Sequence, residues 1–153
     1  MRDVPLNRYL FRTTWLVPSP SDAVFAALVD LAGYPDWWPD VRSVTKVDDD
    51  TAELVCCASL PLALRLRMTR VEENASAGRV AVALSGDLEG TLTGQLVPGG
   101  SRTRLDIRQQ VVARKPVLRS LSPVAHPVFR LNHALMMRRG LRGLRAHLSA
   151  TGT

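Results

Sequence analysis

The sequence has few cysteines, few aromatic residues and no long apolar run. Its two cysteines, Cys56 and Cys57, are adjacent, so on a strand they point to opposite faces and match neither a metal-binding nor a CxxC redox spacing. No stretch reaches the roughly 18 apolar residues of a membrane-spanning helix. The N-terminal stretch YLFRTTWLV is interrupted by Arg12 and lacks a signal-peptide cleavage pattern. We therefore expect reduced, structural thiols and a cytoplasmic location.

Motifs for nucleotide, metal or nucleophilic chemistry are also missing. There is no phosphate-cradling glycine loop, no GxSxG elbow and no dinucleotide fingerprint. On one helix, His126 and His133 would lie roughly 10 Å apart and His133 and His147 roughly 21 Å apart, too far to share a zinc ion. The aspartate triplet at residues 48–50 lacks the spacing of a calcium loop and indicates a hairpin turn. We expect no metal and no cofactor, and the motifs assign no catalytic residue.

Acidic residues are absent after Asp106, whereas nine basic residues follow it. The net charge of the chain is +6. The simpler interpretation is a solvated helix face, since arginines outnumber lysines 18 to 2. The alternative is a surface that docks onto an anionic membrane or an acidic partner. Nucleic acid is not expected, because the basic segment holds one aromatic residue, Phe129, and no recognised motif.

The longest helical pattern spans residues 122–148 at the C-terminal end. At 1.5 Å per residue this helix is about 30 Å or longer, enough to cross a small domain. Its two sides differ: Phe129, Met136, Met137, Gly140, Leu141, Leu144 and Leu148 share one, and Arg138, Arg139, Arg142 and Arg145 share the other. In the first half, Val128, Leu131 and Leu135 lie outside the apolar side, so we expect this end to be enclosed on more than one side.

The rest of the chain is rich in strand signals. Residues 9–17 predict a first strand that ends at Pro18, and a helix follows with Ser21 and Asp22 as its capping residues. The stretch YPDWWPD predicts a single helical turn or a compact loop. From Val41 onward, short alternating runs separated by turn signals predict six consecutive antiparallel strands that share one apolar face.

These elements predict a single α+β domain over residues 1–153. We expect a curved antiparallel sheet of about seven strands wrapped around the long C-terminal α-helix, with one or two short helices after the first strand. A twisted sheet is not easily filled by one helix, so a cavity is expected between them. Gly90 and Gly94 share the inward parity of their apolar neighbours. These glycines either enlarge the cavity or permit sharp strand curvature and close backbone approach.

Two segments resemble a known superfamily. With VPSPSDAVFAALVDLAGYPDWWPDVRSV near its start and PVFRLNHALMMRRGLRGL near its end, the chain resembles the START-like (SRPBCC) superfamily, specifically its polyketide cyclase/dehydrase and lipid-transport branch. The matching positions are Asp30, Leu31, Tyr34, Pro35, Trp37 or Trp38, Pro39, Phe129, Arg130, Asn132 and His133. The resemblance covers nearly the whole chain. It implies the Bet v 1-like helix-grip fold with an internal apolar pocket, and no specific activity, because this fold serves carriers and a minority of enzymes.

The first functional hypothesis is binding or transport of a small hydrophobic molecule, such as a lipid or a polyketide-like compound, in that cavity. We predict that the ligand is contacted by Trp38, Leu66, Met68, Leu92, Gln109, Phe129, Asn132, His133 and Met136. The second hypothesis is a cyclase or dehydratase in which His133 or Gln109 polarises a carbonyl. The third is an interaction module with a packed interior that docks through its basic helix. The ligand and the oligomeric state are not predicted.

Several of these side chains also have a simpler interpretation. His133 would either face the cavity and bind a ligand carbonyl, or be partly buried against a backbone group. Gln109 has inward parity and would bond either a ligand or the helix, because a buried amide needs partners. Of Trp37 and Trp38, one is expected to pack and the other to rim the pocket, unless both are core. The two helix methionines would adapt to varied apolar ligands or serve as core.

Overall fold

A computed structural model of the protein describes residues 8–57, 63–113 and 125–151. The elements in chain order are β1 (Arg8–Val17), α1 (Ser21–Val29), a 3-10 turn (Leu31–Gly33), the one-turn helix α2 (Tyr34–Trp37), β2 (Val41–Lys46), β3 (Thr51–Cys57), β4 (Ala63–Asn74), β5 (Arg79–Gly86), β6 (Leu88–Gly99), β7 (Arg102–Ala113) and α3 (Ala125–Thr151). The predicted helix-grip α+β fold is confirmed. One of the turn signals between the predicted strands is Pro61, which lies outside the described residues.

The seven strands form one antiparallel sheet in the order β1-β7-β6-β5-β4-β3-β2. Each strand from β2 to β7 pairs with its sequence neighbour, and β1 pairs with β7, so the first and last strands lie side by side. In this register Gln109 lies opposite Phe11 on one side and Leu92 on the other. Residues that lie directly opposite each other on neighbouring strands point to the same face of the sheet. All three therefore belong to the concave face that α3 covers.

The two inward glycines of β6 have different roles. Gly90 has a φ of 153°, and a Cβ there would lie 1.8 Å from the Gln110 carbonyl oxygen on β7. This is the close backbone approach that glycine alone permits. A Cβ at Gly94 would instead meet the side chains of Val80 and Leu105 at 3.1 and 3.3 Å. Gly90 therefore permits the close approach of β6 and β7, and Gly94 is packed tightly beneath the side chains of Val80 and Leu105.

Helix α3 approaches α2 closely through two glycines that sit one turn apart. A Cβ at Gly143 would lie 1.6 Å from the Trp37 carbonyl oxygen, and one at Gly140 would lie 2.5 Å from Cε2 of Trp38. The indole Nε1 of Trp38 donates a hydrogen bond to the Met136 carbonyl oxygen at 3.0 Å. The glycines thus let the short helix pack directly against the backbone of the long one.

The arginine side of α3 is only partly a solvated face. Arg139 donates from Nε and from a terminal nitrogen to the two carboxylate oxygens of Asp40, at 2.8 and 2.6 Å. Arg145 donates two hydrogen bonds to the Leu16 carbonyl oxygen, at 3.0 and 2.7 Å. Arg138 and Arg142 are exposed. Two of the four arginines therefore attach α3 to the rest of the fold.

The expectation that the first half of α3 is enclosed on more than one side is wrong. Val128 is 42% exposed and Leu131 is 62% exposed. The helix buries Phe129, His133 and Met137 instead, which are spaced four residues apart and lie on one face. That spacing turns Val128 and Leu131 away from the sheet. In the part of the chain that the structure describes, no helix combines the length and apolar character required to cross a membrane.

Candidate functional site: an internal cavity

A cavity of about 440 Å³ lies between the concave face of the sheet and α3. Its walls are mostly apolar, and its volume falls within the roughly 300–1,000 Å³ that is typical of small-molecule sites. Six of the nine predicted ligand contacts line it, namely Trp38, Leu66, Met68, Leu92, Gln109 and Met136. Strand parity placed four of these on the concave face, and Met136 comes from α3. The structure therefore brings these six together around one space.

The other three predicted residues do not line the cavity. Phe129 is buried in an aromatic cluster, with its ring centroid 4.5 Å from that of Tyr9 and 6.0 Å from that of Phe11. His133 stacks on Phe11 at 3.7 Å between centroids. Asn132 is half-buried. Phe129 and His133 pack between α3 and the sheet, and any direct contact of these three residues with a ligand stays a prediction.

His133 and Gln109 form a buried polar pair. Each side chain is 8% exposed, and His133 Nε2 lies 3.0 Å from Gln109 Oε1. Burial lowers the pKa of His133 to about 4, so the imidazole is neutral at pH 7. A neutral ring donates from Nε2 to the amide oxygen of Gln109. Gln109 thus bonds the long helix, which is one of its two predicted roles, and it also lines the cavity. Its hydrogen bond to a ligand stays a prediction. The partner of His133 is a side chain rather than a backbone group.

The tryptophan pair is divided between core and cavity. Trp37 is buried, and Trp38 lines the cavity. Their rings are stacked, with centroids 5.5 Å apart and planes inclined by 20°. Trp15 contacts Trp38 edge-on, with 5.6 Å between the centroids, and also lines the cavity. Two indole rings therefore contribute to one wall, and their fluorescence can report on what occupies the space.

The cavity has an acidic mouth, although the chain as a whole is basic. We use this name for the charged lining residues, which are six carboxylates and two cations: Asp30, Asp48, Asp49, Asp50, Glu72, Glu73, Lys46 and Arg70. Lys46 lies 3.3 Å from Asp49. Arg70 lies 3.5 Å from Asp50 and 3.3 Å from Glu73. Both cations are thus already paired, and the mouth carries an excess of negative charge. The sequence predicted the aspartate triplet only as a hairpin turn, because the turn signal does not reveal what lies beside it.

The titratable groups on the lining away from the acidic mouth are kept protonated. Burial, with smaller effects of Asp40 and Cys57, raises the pKa of the Cys56 thiol to about 12. Burial also raises the pKa of Tyr34, whose hydroxyl donates to the Leu28 carbonyl oxygen at 2.6 Å. Neither group exchanges a proton readily near neutral pH. Both cysteines are free thiols in the structure.

Metal binding finds no support in the described ranges 8–57, 63–113 and 125–151, where no cluster of three or more His, Cys, Asp or Glu side chains is suited to an ion. What the arrangement offers is an apolar enclosure with one buried amide on its wall. Such a site binds by excluding water and orients its ligand through few polar contacts.

Comparison with known proteins agrees with this architecture. Residues 10–149 match the family model described as polyketide cyclase/dehydrase and lipid transport. No curated protein sequence matches the chain. An aromatase/cyclase from Streptomyces sp. R1128 has 15% identity and a TM-score of 0.79, with 95% of this chain and 96% of that chain covered.

Two further solved structures share the fold. The protein TTHA0849 from Thermus thermophilus has 18% identity and a TM-score of 0.82, covering 95% of this chain and 100% of that chain. A START superfamily protein from Mycobacterium smegmatis has 14% identity and a TM-score of 0.77, covering 93% and 98%. At these identities the likeness concerns the fold alone. The family match extends over nearly the whole sequence, and the chain therefore belongs to the polyketide cyclase/dehydrase and lipid transport family.

Proposed function

We propose that the protein binds and carries a small hydrophobic molecule in the cavity between the sheet and α3. The observation that supports this most directly is the mostly apolar space of about 440 Å³ inside the fold. Removing apolar ligand surface from water contributes about 25 cal/mol per Å². Part of that gain is offset by the lost freedom of the ligand. Trp38, Met68 and Met136 provide polarisable or adaptable surface on different walls of the cavity.

A carrier is favoured over a cyclase or dehydratase because the lining away from the acidic mouth has poor groups for proton transfer. His133 lies outside the lining and is hydrogen-bonded to Gln109. Cys56 and Tyr34 stay protonated near neutral pH. Gln109 remains able to bind a carbonyl, which orients a ligand but does not transfer its protons. The described lining thus supports ligand holding more strongly than chemistry.

The cavity also disfavours the interaction-module hypothesis, which required a packed interior. Docking of the basic face onto an anionic membrane is a separate prediction, which now concerns Arg138 and Arg142 because Arg139 and Arg145 bond within the fold. A sedimentation assay with anionic vesicles at low and high salt would test it, since a screened surface attraction weakens as salt rises.

The carrier proposal is tested by native mass spectrometry of gently purified protein and by filling the cavity. We expect copurified hydrophobic molecules in the wild type and their loss in Leu92→Trp, whose indole would occupy the space. Thr91→Trp is the matched control, because Thr91 is exposed on the opposite face of β6. Binding of a hydrophobic dye should fall in Leu92→Trp alone. Equal ligand content and dye binding in all three folded proteins would refute the proposal.

A further inference from the structure

We propose that the cavity selects neutral ligands that carry a hydrogen-bond acceptor, such as a ketone or ester carbonyl, which the Gln109 amide nitrogen holds, and that it rejects carboxylates. This inference rests on the proposed carrier function and names the ligand class of the same cavity. It follows from two independent observations, one deep in the cavity and one at its acidic mouth.

The first observation is a buried donor without a protein partner. Gln109 is 8% exposed and lines the cavity, and the only hydrogen bond of its side chain in the described part of the chain uses Oε1. Its amide nitrogen therefore has two N–H groups with no acceptor among the described residues. Buried polar groups in native proteins nearly always have partners. An acceptor atom on a ligand in the cavity would provide the missing hydrogen-bond partner of the Gln109 amide nitrogen.

His133 fixes the direction of that amide. Its ring is held by stacking on Phe11, with planes inclined by only 10°, and its Nε2 bonds Gln109 Oε1. When the amide oxygen is occupied in this way, the amide nitrogen lies on the other side of the group. His133 is thus a positioning residue, which acts on a ligand through Gln109. The amide is oriented before any ligand arrives, which lowers the entropic cost of binding.

The second observation concerns charge. The cations among the described lining residues are Lys46 and Arg70, and each is within 3.5 Å of a carboxylate. A carboxylate ligand would pass six acidic side chains at the acidic mouth and lose its hydration without gaining a free cation. A neutral carbonyl has neither disadvantage. The same cavity therefore favours ketones and esters over acids of similar shape.

Calorimetry at pH 7.5 with three probes of one shape tests this ligand class. The probes are 2-acetylnaphthalene, 2-ethylnaphthalene and 2-naphthoate. We expect the ketone to bind about three- to tenfold more tightly than the hydrocarbon, as befits one neutral hydrogen bond. The carboxylate should bind at least about tenfold more weakly than the ketone, because its charge is desolvated without a partner.

Variants identify the group that makes the distinction. Gln109→Leu should remove the preference for the ketone while leaving the affinity for the hydrocarbon within about twofold. Gln110→Leu is the matched control, since Gln110 is the next residue and is exposed on the outer face. His133→Phe keeps a ring that can stack on Phe11 and lacks the hydrogen bond, so it should reduce the ketone-to-hydrocarbon ratio. Gln109→Met replaces the leucine variant if that protein does not fold.

The outcomes separate this inference from the carrier function. Equal binding of all three probes by the wild type, or an unchanged ratio in Gln109→Leu and Gln109→Met, would overturn the proposed ligand class and leave the carrier intact. Tighter binding of 2-naphthoate than of the ketone would overturn it as well. If no probe binds and no hydrophobic molecule copurifies, the carrier function itself fails.

Discussion

The Asp40 carboxylate is held by two hydrogen bonds from Arg139, a residue 99 positions later in the chain. Asp40 is 2% exposed and precedes β2, whereas Arg139 belongs to α3. The Asp40 carbonyl oxygen also accepts a hydrogen bond from the Cys57 amide at 2.8 Å. This ion pair therefore connects the long helix to the edge of the sheet that carries β2 and β3.

Replacing Arg139 with Met should destabilise the fold by about 2–4 kcal/mol, because it leaves a buried carboxylate without its cation. Urea denaturation would measure the change. Arg138→Met is the matched control, since Arg138 is the exposed neighbour on the same helix, and it should alter the free energy of unfolding by less than about 0.5 kcal/mol. Similar losses in both variants would show that the pair with Asp40 contributes little.

Replacing Gly143 with Ala should destabilise the protein, although the same change in an unhindered helix would stabilise it by about 1 kcal/mol. The added methyl group would lie 1.6 Å from the Trp37 carbonyl oxygen, and the backbone must move to admit it. Overpacking of this kind costs about 1–3 kcal/mol. The melting temperature of the Gly143→Ala protein should therefore be lower than that of the wild type. A higher melting temperature would contradict the close approach of α2.

Stability should fall as the pH is lowered through the range in which free histidine titrates. The pKa of His133 is about 4 in the folded protein and 6.5 in the reference state, so the unfolded chain binds more protons between these values. From pH 7.5 to pH 5, this group alone should remove about 2 kcal/mol from the free energy of unfolding.

The matched variant for the pH dependence is His133→Phe. It retains an aromatic ring beside Phe11 and has no proton to bind, so its unfolding free energy should change less over the same pH interval. The comparison between the two proteins removes the contribution of the carboxylates. Parallel pH profiles for the two proteins would show that the buried histidine is not responsible.

The Cys56 thiol should react with iodoacetamide at pH 8 at least about a hundredfold more slowly than an exposed thiol, because little of it is ionised and it is buried. The variant Cys57→Ser isolates Cys56, and Cys56→Ser isolates Cys57, which is half-buried. Mass spectrometry would follow both. Rapid labelling of Cys56 in the folded protein would show that the cavity wall opens at this strand.

The spacing of apolar residues in the sequence predicted which side of each strand or helix is buried, but not which distant residues it contacts. Strand parity placed Leu66, Leu92 and Gln109 on the concave face, and the helical repeat placed Phe129 and Met137 on the buried side of α3. Both are local properties, because the side-chain direction repeats every 2 or 3.6 residues. The order of elements and the long final helix were predictable for the same reason.

The remainder depends on contacts between distant segments, which spacing does not encode. The helical repeat groups Arg139 with three other arginines on one side, and only the fold places Asp40 beside it. Val128 and Leu131 are apolar but lie outside the buried side of the helix, and the cover expected for them is absent because both are exposed. Part of the acidic mouth forms where the turn at residues 48–50 lies beside β4. No local sequence pattern indicates that these two segments are in contact.

The pairing of β1 with β7 has a consequence for protein synthesis. Trp15 lies opposite Leu105 and Tyr9 opposite Val111, so the first strand finds its partner only after about a hundred further residues have been made. Contacts this distant in sequence slow folding. On the ribosome, the hydrogen-bonding edge of β1 must wait for β7, and β2 to β6 can assemble as hairpins in the meantime. We therefore expect the nascent chain to depend on chaperones most strongly before β7 emerges.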